Sequence, residues 1–169
     1  MIKMVSDLVE IRSFMTSDAD ECVQMRAEAF RRLFFQHIAP ELINTAINAY
    51  KPDKFIETAA HNPFFVATRN QEPVGFIGSQ FLGKNTIEIL FLYVKLDHLK
   101  KGIGSKLIRF WEDWLQKNNP EIDRIIVKTI IPDYNQRFYE KHGFEKSGTS
   151  FCRYQAGQIE ALCLMKKLK

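Results

Sequence analysis

Residues 86–95 (TIEILFLYVK) constrain the fold of this chain more than any other stretch. Read as a strand, they place Glu88, Leu90, Leu92 and Val94 on one face and Ile87, Ile89, Phe91 and Tyr93 on the other. A strand that is apolar on both faces has to be covered on both, so it belongs at the centre of a sheet with other elements packed above and below. It leads into a turn, Leu99, Lys100, Lys101, Gly102, Ile103, Gly104, Ser105, Lys106. After Gly104 the apolar positions Leu107, Ile108, Trp111 and Leu115 recur at helical spacing up to Lys117, and Asn118, Asn119 and Pro120 end that helix.

The remaining elements fall on either side. Residues 9–14 read as a strand, and Ser17 with Asp20 is a capping-box-like start for a helix to about Phe35, with Cys22, Met25 and Ala29 on its inner face. A second helical stretch begins near Pro40 and continues to about Ala60, with Pro52 as a candidate break and His61, Asn62 and Pro63 as its stop. Residues 64–68 and 74–81 read as strands joined by a turn at Gln71, Glu72 and Pro73. Residues 124–128 form a strand, Pro132 opens a short helix through Lys141, and Gly143 suits a left-handed cap. Residues 144–154 and 159–165 close the chain as two strands. The order β-α-α-β-β-β-α-β-α-β-β is a mixed α/β layout in one domain, residues 1–169, with no repeat or linker.

Composition narrows the function classes. With 46% hydrophobic residues the chain builds a core without disulfides or metals. Three cysteines, Cys22, Cys152 and Cys163, in no CxxC spacing indicate neither a disulfide framework nor a zinc site, and a reducing cytoplasm is the expected location. Asp7 and Glu10 interrupt the N-terminal apolar residues, so neither a signal peptide nor a membrane span is expected. A net charge of +4 suits a polyanionic small ligand but not a nucleic acid, and the run Lys166 to Lys169 reads as a solvated tail. His37, His61, His98 and His142 have no metal-ligand spacing; His142 is expected to finish its helix, partly cationic in the helix dipole.

At the turn, the backbone N–H groups that open the helix are not yet used by its ladder and can point at an anion. Gly102 and Gly104 let a phosphate approach the main chain, and Lys100, Lys101 and Lys106 add positive charge. The pattern is neither GxGxxG nor a Walker loop. On these residues alone, a phosphate site and an ordinary glycine turn beside solvated lysines both fit.

With the strand 88–94, the turn through Gly102 and Gly104, and the later run Arg137, Phe138, Tyr139, Glu140, Lys141, His142, Gly143, Phe144, the chain resembles the GNAT N-acetyltransferase superfamily over nearly its whole length in element order. The resemblance implies a central mixed, mostly antiparallel sheet of about seven strands flanked by about four helices. It also implies acyl transfer from acetyl-CoA, without a metal, to a primary amine of a small molecule or peptide by direct attack. The family loop reads Gln/Arg-x-x-Gly-x-Gly/Ala; Gly102 and Gly104 match it, while Leu99 stands in the Gln/Arg position. By the resemblance, Leu99, Lys100, Lys101, Gly102, Ile103, Gly104, Ser105 and Lys106 hold the cofactor, and Leu92, Tyr93 and Val94 lie along its pantetheine arm. Phe138 joins them. An Asn frequent in the family seven residues before the Tyr is Pro132 here, and Asn135 is either its substitute or a surface residue.

The same resemblance gives Tyr139 the acid role toward the departing thiolate; without it, Tyr139 reads as an aromatic packed beside Phe138 and Phe144. Glu88 corresponds to a glutamate that deprotonates the acceptor ammonium, and as a side chain it reads equally as a strand-edge charge reaching solvent. Phe30, Phe34, Phe35 and Tyr50 read as core before acceptor wall. The exposed ends of the last two strands could pair subunits in a homodimer. The alternative function, suggested by Leu99 and Pro132, is a non-catalytic CoA-binding regulatory module of the same fold.

Overall fold

Period-two and period-3.6 apolar patterns alternate along the chain, and each is realised as the element its period demands. The computed structural model describes residues 8–130 and 132–168, and of residues 132–134 the backbone only. The described residues form β1 (Val9–Ser13), α1 (Ala19–Leu33), α2 (Pro40–Asn48), α3 (Pro52–His61), β2 (Phe64–Arg69), β3 (Glu72–Phe81), β4 (Thr86–Val94), α4 (Ile103–Asn118), β5 (Arg124–Thr129), α5 (Pro132–Lys141), β6 (Glu145–Tyr154) and β7 (Gly157–Lys167). The sheet order is β1-β2-β3-β4-β5-β7-β6, antiparallel throughout except for the parallel pair β4–β5. β4 is therefore central, as its two apolar faces require.

One face of the sheet is covered by α4, whose Ile103, Leu107, Ile108, Trp111 and Leu115 pack on Ile77, Ile87, Ile89, Ile125 and Val127, together with Tyr139 and Phe144. On the other face, Cys22 and Met25 of α1 and Phe55 of α3 meet Phe64, Val66, Phe76 and Phe91. α2 completes that side, joining Ile43 and Ala46 to Phe30, Phe34 and Ile159. Few polar groups enter these layers, and most of those that do are paired. Ser79 receives a hydrogen bond from Trp111 Nε1 (3.1 Å) and donates to the Pro63 carbonyl (2.9 Å).

Several boundaries differ from the sequence reading. The stretch 40–60 is two helices, because Pro52 lacks the N–H that would continue α2 and instead opens α3; five helices result rather than four. The entry to α1 is a 3₁₀ turn at Thr16–Asp18, and the capping carboxylate is Asp18, which accepts from the Met15 N–H (2.8 Å) and pairs with both Arg12 terminal nitrogens (2.8 and 2.9 Å). The β2–β3 turn lies at Asn70 and Gln71, both at positive φ, so Glu72 and Pro73 belong to β3. Lys166 and Lys167 are not tail: both lie in β7, and Lys166 Nζ binds Glu112 Oε2 at 2.7 Å. The readings of residues 1–7 and of Lys169 fall outside the described residues.

The faces of β4 also differ. Gly78 pairs with Phe91 and Ser79 with Ile89, so Leu90 is an extra residue, a β-bulge. The bulge reverses the alternation. Ile87, Ile89, Leu92 and Val94 pack on the α4 side, whereas Phe91 and Tyr93 pack on the α1 and α3 side. Glu88, one residue out of phase with Ile87 and Ile89, shares the face of Phe91 and Tyr93, not that of Leu92 and Val94.

Candidate active site

The turn after β4 is built to leave N–H groups free. Lys100 (φ 59°) and Gly102 (φ 79°) are both left-handed, and the first helical hydrogen bond of α4 runs from the Lys106 N–H to the Gly102 carbonyl at 3.0 Å. The N–H groups of Ile103, Gly104 and Ser105 thus precede the ladder at the positive end of the helix. A Cβ at Gly102 would meet nothing within 4 Å, so the space over the turn is open, whereas a Cβ at Gly104 would lie 3.4 Å from the Phe138 ring. Lys100, Lys101 and Lys106 are exposed around it. Leu99 is half-buried, and the Ile103 side chain is sunk in the core, so only its backbone faces the turn. The Ser105 hydroxyl is engaged by His142 Nε2 at 2.9 Å.

Beside the turn, β4 and β5 separate. Their ladder runs from Thr86↔Arg124 to Ile89↔Val127 and stops, leaving residues 91–94 paired only with β3 among the described residues. Leu92, Tyr93 and Val94 line this opened edge, where backbone N–H and C=O groups call for a ligand or water. Thr129 ends β5 beyond the last β4 partner, and its buried Oγ1 has no hydrogen-bond partner among the described residues.

From the α4 side, α5 brings up Phe138 and Tyr139. Phe138 lies against Gly104 and packs on the His142 ring (4.9 Å), and Asn135 is half-buried one turn earlier. Tyr139 is 6% exposed, between Phe138 (5.2 Å) and Phe144 (5.4 Å). Burial, and secondarily Tyr93, pushes its phenol well above the ordinary value, so it is protonated at neutral pH. The side chain of Pro132 lies outside the described residues.

His142 corrects the sequence reading. Burial first, then Arg109 and Lys166, lowers its pKa, so its ring is neutral at neutral pH and ties α5 to the start of α4 through Ser105. The helix dipole is outweighed by desolvation and two like charges.

Across the sheet, Glu88 is 7% exposed; the Gln80 amide donates to its Oε2 (2.9 Å) and Lys128 Nζ lies 3.5 Å from its Oε1. It is a buried, partnered carboxylate rather than a strand-edge charge reaching solvent. Tyr139 and Glu88 therefore flank the opened edge of β4 from its two faces. Tyr93 lies within electrostatic reach of Tyr139.

Arg26 escaped the sequence reading. It is 4% exposed, its Nη1 donates to the Ala46 carbonyl (2.8 Å), and its guanidinium lies over the rings of Phe30 (4.5 Å) and Tyr50 (4.3 Å). The signal was present: an arginine at helical spacing from Cys22, Ala29 and Phe30 stands inside an apolar stripe.

Comparison with known proteins identifies the family and the fold. A family model described as the acetyltransferase (GNAT) family matches residues 21–144. The mouse protein N-acetyltransferase family 8 member 3 is 26% identical over 97 residues, 54% of this chain and 42% of the relative, so the match spans less than half of that protein's length. A GCN5-related N-acetyltransferase from Rhodopseudomonas palustris has a similar structure, with a TM-score of 0.81 at 20% identity over 98% of this chain and 99% of the other. So has the PaiA N-acetyltransferase from Thermoplasma acidophilum, solved with coenzyme A, with a TM-score of 0.79 at 20% identity over 95% and 99%.

Proposed function

The chain belongs to the acetyltransferase (GNAT) family, whose acyl donor is acetyl-CoA, and from that premise we propose that it transfers the acyl group to the primary amine of a small molecule or peptide by direct attack. The observation that carries this reading is the meeting of the open Gly102 turn with the unpaired edge of β4, flanked by Tyr139 on one face and Glu88 on the other. The residues fit the coenzyme. The N–H groups of Ile103, Gly104 and Ser105 and the three exposed lysines would hold its phosphates, and the main chain of Leu92, Tyr93 and Val94 would hold the pantetheine, with Thr129 Oγ1 as a further polar group at that edge. When bound, the coenzyme supplies an activated acyl group as a thioester.

The chain's own groups orient the reactants and manage protons. The Glu88 carboxylate, held by Gln80 and near Lys128, accepts the proton of the acceptor ammonium, directly or through water. Main-chain N–H near Leu92 would stabilise the developing oxyanion. The Tyr139 phenol donates a hydrogen bond toward the departing sulfur. Because its pKa is raised above that of a thiol (~8.5), it stabilises the thiolate by that bond rather than surrendering its proton outright.

The test is thiol release from acetyl-CoA across a panel of amines. Turnover with at least one amine is expected. Tyr139→Phe is expected to lower kcat by on the order of 100-fold with little change in acetyl-CoA affinity. Gly102→Glu is expected to abolish calorimetric binding of acetyl-CoA. Binding without turnover for any amine would favour a regulatory coenzyme-binding module instead.

A further inference from the structure

We propose that the acceptor carries a free carboxylate as well as its amine, and that Arg26 binds this carboxylate, which makes amino acids and comparable short zwitterions the substrate class. The proposal rests on the transferase reading above and names the acceptor for that site.

A guanidinium is charged at every accessible pH, and burying one without a counter-ion is expensive, so buried arginines are normally paired with carboxylates. Among the described residues no acidic side chain pairs with Arg26. Its fixed neighbours are the Ala46 carbonyl, the Tyr93 hydroxyl and the rings of Phe30 and Tyr50, which set the plane of the fork but supply no ionised counter-charge. The fully sequestered side-chain atoms without partners among the described residues are Glu112 Oε1 and Thr129 Oγ1. Arg26 has five N–H donors, more than the Ala46 carbonyl and the Tyr93 hydroxyl can occupy, and neither of these neutral groups is a counter-ion.

Arg26 also stands on the acceptor side of β4. Tyr50, on which it stacks, packs against Phe91 (5.2 Å), and Phe91, Tyr93 and Glu88 share one face because of the bulge at Leu90. Burial raises the pKa values of Tyr93, Tyr154 and Cys152, and in each case the Arg26 charge opposes the rise; Cys152 also feels Lys128 and Glu88. Tyr93 and Tyr154 pack in one cluster with Phe30, on which Arg26 stacks, and Glu88, paired with Lys128, lies on the Tyr93 face of β4. A cation beside that cluster and a proton-accepting carboxylate on that face match a zwitterion, with the ammonium at Glu88 and the carboxylate at Arg26. A single planar fork suits a carboxylate, which it binds with two parallel hydrogen bonds.

The test uses matched pairs, L-amino acids and the corresponding amino acid amides, assayed by thiol release from acetyl-CoA. In at least one pair the free acid should have the higher kcat/KM, by about 10- to 100-fold, the range for a charge-assisted hydrogen-bonded contact. Arg26→Met should bring that ratio close to one, and Arg26→Lys should restore only part of it. Equal rates within every pair, preference for the amide, or a ratio unchanged in Arg26→Met would overturn the proposal while leaving the transferase reading intact. Should Arg26→Met not fold, the wild-type ratio and Arg26→Lys decide. Calorimetric titration with N-acetyl amino acids and their amides reads the site without turnover. Arg26-dependent binding of the acids with no turnover of any amine would support the carboxylate site and sink the transferase reading, whereas neither binding nor turnover would sink the carboxylate site.

Discussion

Tyr139 and His142 both lie near the end of α5, and desolvation holds each in its neutral form by moving its pKa the opposite way. For the phenol the shift is upward, which keeps a hydrogen on the oxygen. For the imidazole it is downward from the ordinary 6.5, which keeps one ring nitrogen free of its proton and the Ser105 contact intact at neutral pH. The sign of the pH dependence follows. Between the lowered folded pKa and 6.5, the unfolded chain binds more protons at this site than the folded chain, so stability falls as pH drops below 6.5. Thermal unfolding from pH 7.5 to pH 5 should show this decline, and His142→Gln, which keeps a polar group near Ser105 but does not titrate, should flatten it. The Asp18 carboxyl does not interfere in that window. Although burial pushes its pKa up, the Arg12 hydrogen bonds, the Met15 N–H and the Arg12 charge together bring it below the ordinary 3.8, so its contribution is lost only in stronger acid.

At the scale of elements, β4 does more than fill the centre of the sheet. Its bulge puts Phe91 opposite Gly78, and the fit there is close: a Cβ at Gly78 would lie 2.7 Å from the Phe64 ring and 2.8 Å from that of Phe91. Those rings are wedged among Phe55 and Phe76, with centroids 4.9 to 6.2 Å apart, so they have little room to yield. Gly78→Ala should cost about 1–3 kcal/mol through overpacking, measurable as a lower urea midpoint with an unchanged m-value. The same bulge puts Glu88 on the face of Phe91 and Tyr93. The glycine needed for packing and the carboxylate proposed as the base therefore depend on one irregularity.

For the molecule as a whole, the decisive feature is the separation of β4 from β5 beyond Ile89. It opens the sheet at its middle, between the helices of the two faces, and leaves polar main chain and Thr129 Oγ1 in need of partners. A ligand filling that opening stabilises the folded state by mass action. At 100 times its Kd, acetyl-CoA should add about 2.7 kcal/mol and raise Tm by roughly 5–10 °C. Gly102→Glu should unfold at about its own ligand-free temperature whether or not acetyl-CoA is added.

The sequence by itself determined the succession of seven strands, the central position of β4, the glycine turn opening α4, and the aromatic run ending at Phe144, because each depends on periodicity, capping or turn chemistry within one short segment. Only the tertiary structure decided which face Glu88 takes, that His142 is neutral, that Lys166 is bound to Glu112, and that Arg26 lies buried with no acidic partner among the described residues. These depend on strand register and on which distant side chains share a desolvated space. A bulge of one residue reverses every side chain beyond it, and a charge is costly or comfortable according to neighbours that local pattern does not specify.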